Sequence, residues 1–157
     1  MGIKPKFKIE DVAKAFDKLL YFIDTETVRI LHYVGEKAVE HARSIKPPDE
    51  GGQGFKDQTG NLRSSIGFAV YYDGRQIEAS YTGDKPTGAR TGQALADKVG
   101  SQTSGYALVV TAGMYYAVYV ESKGRDVLTS AESRAQEWLK EQLDDMTKAI
   151  IDYWKKL

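Results

Sequence analysis

Ser65-Ile66-Gly67-Phe68-Ala69-Val70-Tyr71-Tyr72-Asp73-Gly74-Arg75-Gln76-Ile77-Glu78-Ala79-Ser80-Tyr81-Thr82 reads as two strands folded about Asp73-Gly74. Ser65 to Tyr72 is rich in the β-branched and aromatic side chains that suit a pleated surface. From Gln76 to Thr82 polar and apolar residues alternate, the period of a half-exposed strand. Asp-Gly fits a two-residue connection because both central positions take positive φ at low cost. Residues 64–82 are therefore expected to form a hairpin.

Upstream, residues 47–61 carry Pro47-Pro48, Gly51-Gly52, Gly54, Asp57 and Gly60-Asn61, the composition of a solvated loop tolerant of length changes. Before it, from 11 to 45, apolar residues recur at helical spacing: Val12, Phe16, Leu19, Leu20 and Ile23, then Ile30, Leu31, Val34, Ala38, Ala42 and Ile45. The stripe loses a rung at Thr27, and Asp24 and Thr25 both suit an N-cap. Two helices meeting near residue 24 are expected over one long rod, with Pro47-Pro48 ending the second.

Downstream, residues 83–105 are rich in Gly, Thr, Lys and Ser and are expected to bulge from the domain as a long inter-strand loop, with Thr91 to Val99 able to form a short helix capped by Thr91 and stopped by Gly100. Residues 106–122 begin with a third strand, Tyr106 to Ala112. Met114 to Val120 suits either a fourth strand or a helical turn closed by Gly124, and the turn is preferred. Over 129–156, Thr129 with Glu132 has the form of a capping box, and Ala131, Ala135, Trp138, Leu139, Met146, Ile150, Tyr153 and Leu157 trace one helical face. The fold class is thus α+β: N-terminal helices and a long C-terminal helix packed on a small, mostly antiparallel sheet, in one domain over 1–157.

Composition narrows the function. Lys+Arg and Asp+Glu are both 22, so no global field draws the chain to nucleic acid or an anionic membrane. The absence of cysteine removes disulfides, thiolate metal sites and a cysteine nucleophile. No apolar run approaches the roughly 20 residues that span a bilayer, and Met1-Gly2-Ile3-Lys4-Pro5-Lys6 lacks the apolar core of a signal peptide. A soluble protein, intracellular when made, is expected.

Candidate chemistry is sparse. His32 and His41 are nine residues apart, so on one helix they point to opposite faces and cannot share a metal. Gly83-Asp84-Lys85-Pro86-Thr87-Gly88-Ala89-Arg90-Thr91 has the two glycines of a phosphate loop, but Ala89-Arg90 stands where Lys-Ser/Thr is needed and Pro86 removes a backbone donor. Ser64, Ser65, Ser101 and Ser104 lie outside any Gly-x-Ser-x-Gly elbow. Glu137, Glu141, Asp144 and Asp145 share a helical face with Lys140 and Lys148, a solvated charge pattern. Neither an enzyme nor a cofactor is expected. Tyr71, Tyr72, Tyr81, Tyr106, Tyr115, Tyr116 and Tyr119 crowd the strand half, as core residues or as an assembly surface.

Two stretches about fifty residues apart remain: Asp57-Gln58-Thr59-Gly60-Asn61-Leu62-Arg63-Ser64-Ser65-Ile66 and Met114-Tyr115-Tyr116-Ala117-Val118-Tyr119-Val120-Glu121-Ser122-Lys123-Gly124. Together they resemble the neck and tail-completion proteins of tailed bacteriophages, in which Thr-Gly-x-Leu-x-x-Ser-Ile precedes Tyr-Ala-x-Tyr-Val-Glu-x-Gly. Ser44-Ile45-Lys46-Pro47 is similar to the family's lead-in. The chain departs from the pattern at Ser122-Lys123-Gly124, at the proline-free Val127-Leu128-Thr129-Ser130-Ala131, and in enlargements over 48–57 and 83–104.

The resemblance implies a structural virion protein, made in the host cytoplasm, that forms a homo-oligomeric ring, six-fold, at the head-tail junction or tail end. It implies head-connector and tail-tube partners, DNA passing through the lumen, no membrane and no enzymatic step. It marks Thr59, Gly60, Leu62, Ser65, Tyr115, Tyr116, Tyr119 and Glu121 as structural or assembly residues. Lys85, Arg90 and Lys98, partly offset by Asp84 and Asp97, make the 83–105 segment a candidate contact with a neighbour or DNA. A non-viral binding module of a toxin or secretion system, of similar α+β build, is the alternative; portal, capsid and tail-tube genes beside its own would decide.

Overall fold

A computed structural model describes residues 6–156. Its elements are α1 (Ile9–Ser44), a 3-10 turn (Pro48–Glu50), α2 (Asn61–Ser64), β1 (Ile66–Tyr72), β2 (Arg75–Ser80), α3 (Pro86–Gly100), β3 (Tyr106–Ala112), α4 (Ala117–Ser122) and α5 (Thr129–Lys155). The α+β expectation is met by a three-stranded antiparallel sheet of order β2-β1-β3. Leu157 and residues 1–5 lie outside the described residues.

Central β1 is buried on both faces. Phe68 and Val70 pack towards α1 and α5 with Leu31 and Leu139, while Ala69 and Tyr71 pack towards α3 with Ala96. Alternation along the strand thus feeds two layers of helix, with the sheet between them. At the hairpin Asp73 and Gly74 both have positive φ (48° and 76°), the left-handed pair that a tight turn of this hand requires. The Asp73 carboxylate also accepts a hydrogen bond from the Gly105 amide at 2.7 Å, tying the hairpin to the start of β3.

Four expectations are corrected. First, α1 is one continuous helix of 36 residues rather than two. The groups that suggested a break near residue 24 are engaged otherwise: the hydroxyls of Thr25 and Thr27 donate back to the carbonyls of Tyr21 and Ile23, and Asp24 accepts from the Tyr106 hydroxyl. Second, 83–105 is no protruding loop, because Pro86 starts a 15-residue helix against the sheet. Gly88, Gly92, Ala96 and Gly100 recur every four residues and are its buried face. A Cβ on Gly92 would collide with the Ser65 carbonyl, and one on Gly100 with the Tyr71 ring. Those glycines give close packing, not freedom.

Third, 47–61 is solvated over most of its length, as expected, but is anchored at its middle: Gly54 bridges to Asp126, and Phe55 is 2% exposed within the main core cluster. Fourth, no capping box opens α5; Leu128 occupies the cap position, and the Thr129 hydroxyl donates to Glu121 instead. Of the two readings of Met114 to Val120, the helical one is observed, as α4, followed by Gly124 at φ 74°.

At 1.5 Å per residue α1 is about 54 Å long, well over twice the span of the seven-residue strands. Its buried residues lie almost wholly between Ile30 and Ala42, and Tyr106 at the sheet's end reaches only to Asp24. Residues 9–23 of α1, with the last turns of α5 beside them, therefore extend past the sheet as a two-helix stalk. Phe16 and Trp154 meet edge to face there, with ring centroids 5.1 Å apart.

Candidate assembly surface

The two marked stretches meet at one end of the sheet. Asp57 begins the first: its carboxylate accepts from the amides of Gly60 and Arg63, each at 3.0 Å, and so caps the one-turn α2. Thr59 adds a weaker acceptor for the Asn61 amide at 3.3 Å. Gly60 turns the chain at φ 79°, a conformation glycine adopts without penalty. Leu62 then drops into the core cluster with Phe55, Ile66, Ala117 and Val127.

Ser65, fully buried, joins the stretches. Its hydroxyl donates to the Leu62 carbonyl at 2.7 Å and lies 3.4 Å from the Met114 amide, which donates to it; its carbonyl accepts from Gly113 at 3.3 Å. The neighbouring Ser64 hydroxyl accepts from the Lys85 amide at 3.1 Å, attaching the start of α3 to the same point. Below the joint, Arg43 donates to the Ile66 carbonyl at 2.6 Å and Arg63 donates to the Arg43 carbonyl. Burial, with Arg63 close by, lowers the Arg43 pKa from its ordinary value, while Asp84 opposes the shift.

The second stretch turns its residues to opposite sides. Ala117 is buried, and Met114, Tyr116 and Val120 pack against the cluster. Tyr115, Val118 and Tyr119 face outward with 91%, 80% and 62% of their surface exposed. The Lys123 ammonium sits 5.1 Å from the Tyr119 ring centroid. Glu121 points back into the molecule: its carboxylate accepts from the amides of Leu128 and Thr129 at 3.3 and 2.9 Å and from the Thr129 hydroxyl. It supplies from outside the helix the carboxylate that the first turn of α5 calls for.

The eight marked residues therefore divide by role. Thr59, Gly60, Leu62, Ser65, Tyr116 and Glu121 brace the platform, while Tyr115 and Tyr119 stand on it. Val118, which pattern matching passed over, is their exposed companion. Its position three residues after Tyr115 and one before Tyr119 gave the signal once the segment is read as helix. Asp57 and Arg43 were also missed as bracing residues; the Asp57-x-x-Gly60 spacing is a turn signal in its own right.

Lys85, Arg90 and Lys98 do not converge. All three are exposed but are spread from one end of α3 to the other. The Arg90 guanidinium donates to the Pro86 carbonyl at 3.3 Å, and Asp97, beside Lys98, accepts from the Tyr71 hydroxyl at 2.8 Å. The histidines are likewise engaged apart, His32 with Glu78 at 2.7 Å and His41 with Ser130 at 2.9 Å.

Compared with protein-family models, curated proteins and solved structures, the chain gives no match. Among the described residues no helix is long and apolar enough to cross a membrane.

Proposed function

We propose that this chain is a structural virion protein of a tailed phage, assembling as a six-fold ring at the head-tail junction or tail end. The observation that carries the reading is the Ser65–Met114 contact. It unites the two stretches that together resemble the neck and tail-completion family, and from that union α4 presents an exposed aromatic face. Large flat side chains with polar tips are what protein interfaces concentrate. The partners proposed are further copies, a head connector and a tail tube, and the outer face of α3 with Lys85, Arg90 and Lys98 is assigned to a neighbour or to DNA in the lumen. No enzymatic step is proposed.

The test is to delete the gene from the phage or prophage that carries it and image the particles. Unjoined heads and tails, or tails with an unfinished end, restored to whole particles by the gene in trans, support the reading. Normal particles that lack the protein refute it.

A further inference from the structure

We propose that the stalk receives α4 of a second copy of this chain, so that successive copies join head to tail. The proposal rests on the assembly reading in taking the occupant to be another copy; the surfaces themselves are read from the fold.

Eighteen residues make about five helical turns. Phe16 and Leu20 therefore lie on the face of α1 that also carries Val34 and Ala38, which are buried and line the groove between α1, β3 and α5. The same step relates Trp154 of α5 to Gln136, which lines a groove with Tyr106 and Leu108 of β3. The groove that α1 and α5 share with β3 in the body thus continues past the end of the sheet, and Phe16, Leu20 and Trp154 keep 40–58% of their surface exposed there. Asp17 and Asp24 stand over Gly35 and Ala42 by the same count, which makes the border of this ridge acidic.

The α4 knob is its converse. Tyr115, Val118 and Tyr119 are exposed, and the exposed Lys123 borders them with positive charge. The knob would meet the apolar ridge while its cation meets carboxylates, which fixes both register and partner. The α4 segment packs near Ala42, and about 33 Å of helix separates Ala42 from Leu20. One molecule cannot fill its own ridge with its own knob. A contact between two different surfaces is heterologous, and it closes into a ring when the rotation allows.

Size points the same way. Aromatic side chains carry roughly 150–250 Å² each, so the three knob residues offer on the order of 400 Å², about half of the ~800 Å² per partner in a standard interface. A single contact is therefore weak. A closed ring, in which each copy makes the contact twice, holds it through effective concentration.

The chain has no cysteine, so introduced thiols report one contact at a time. Ser122→Cys combined with Asp17→Cys in one chain is expected to give a covalent ladder on oxidation of the concentrated protein. Each single variant, and Ser122→Cys combined with Lys18→Cys on the other side of α1, should give none. In the cysteine-free chain, Lys123→Glu should weaken association by roughly two- to fivefold, the scale of one exposed charge pair, and Asp17→Lys should restore it. A dimer from Asp17→Cys alone overturns the proposal in favour of stalk-to-stalk pairing. Oligomers in which Ser122→Cys with Asp17→Cys fails to cross-link overturn this contact and leave the ring reading standing. Neither ladder nor oligomer at any concentration also overturns the contact, while particle imaging tests the ring reading separately.

Discussion

Ser65 and Met114, forty-nine positions apart in the chain, share a hydrogen bond at 3.4 Å between a fully buried hydroxyl and a backbone amide. Removing that hydroxyl leaves the part-buried Met114 amide without its acceptor. An orphaned buried donor costs about 1–3 kcal/mol. Ser65→Ala should therefore lower the thermal midpoint by roughly 2–4 °C per kcal/mol for a chain of this size. Calorimetry on the variant measures it, and an unchanged midpoint would remove Ser65 from the bracing set.

Glu121 and Thr129 should behave as one unit. Either Glu121→Ala or Thr129→Ala is expected to cost about 1 kcal/mol, the usual loss for a helix cap. The double variant should cost clearly less than the two losses added, because each removes the same contact. Chemical denaturation of all four proteins completes the cycle. Additive losses would mean that Glu121 does not cap α5 through Thr129.

The Gly92→Ala substitution tests α3. The added methyl group meets the Ser65 carbonyl and the Tyr81 ring, so the helix must back away from the sheet. Overpacking of this kind costs typically about 1–3 kcal/mol. Gly105→Ala faces open space but sits at φ 65°, so its smaller penalty arises from backbone strain alone. If Gly92→Ala proves as mild as an ordinary surface change, α3 does not pack as described.

His32 gives a pH dependence. Partial burial pulls its pKa down, but the hydrogen bond and charge of Glu78, with Glu36 adding to them, outweigh that and hold it above 6.5. A raised pKa stabilises the fold fully below the unfolded value and loses that contribution as pH rises through the folded value. His32→Gln should therefore destabilise more near pH ~5.5 than near pH ~8.5, by less than about 1 kcal/mol because the pair is partly solvated. Urea midpoints at the two pH values decide it, and a larger loss at the higher pH would reverse the assignment.

The hairpin, the third strand and the C-terminal helix were legible because their signals are local: Asp73-Gly74, the β-branched run to Ala112, and the apolar face from Ala131. Misreadings arose where one composition serves two physical purposes. Gly88, Gly92 and Gly100 look like loop residues until their spacing of four, completed by Ala96, is seen as a helix face that must approach a sheet closely. Asp24 and Thr25 look like a helix start, yet the Thr25 hydroxyl serves the helix it sits in and Asp24 accepts from Tyr106. Glu121 was marked as important, but its use as a cap for a helix beginning eight residues later depends on a fold-back that no local pattern encodes. The outward turn of Val118 likewise became visible only once α4 was known to be helical.

The central claim is that the outward face of α4, with Tyr115, Val118 and Tyr119, is a surface for assembly and not for folding. Light scattering on the wild type and on Tyr119→Ala, both with thermal midpoints measured, tests it most directly. Tyr119 is largely exposed, so the variant should melt within about 0.5 kcal/mol of the wild type. The prediction is a wild-type oligomer of fixed mass at high concentration and a Tyr119→Ala protein, equally stable, of smaller mass. Equal masses for two equally stable proteins would contradict it.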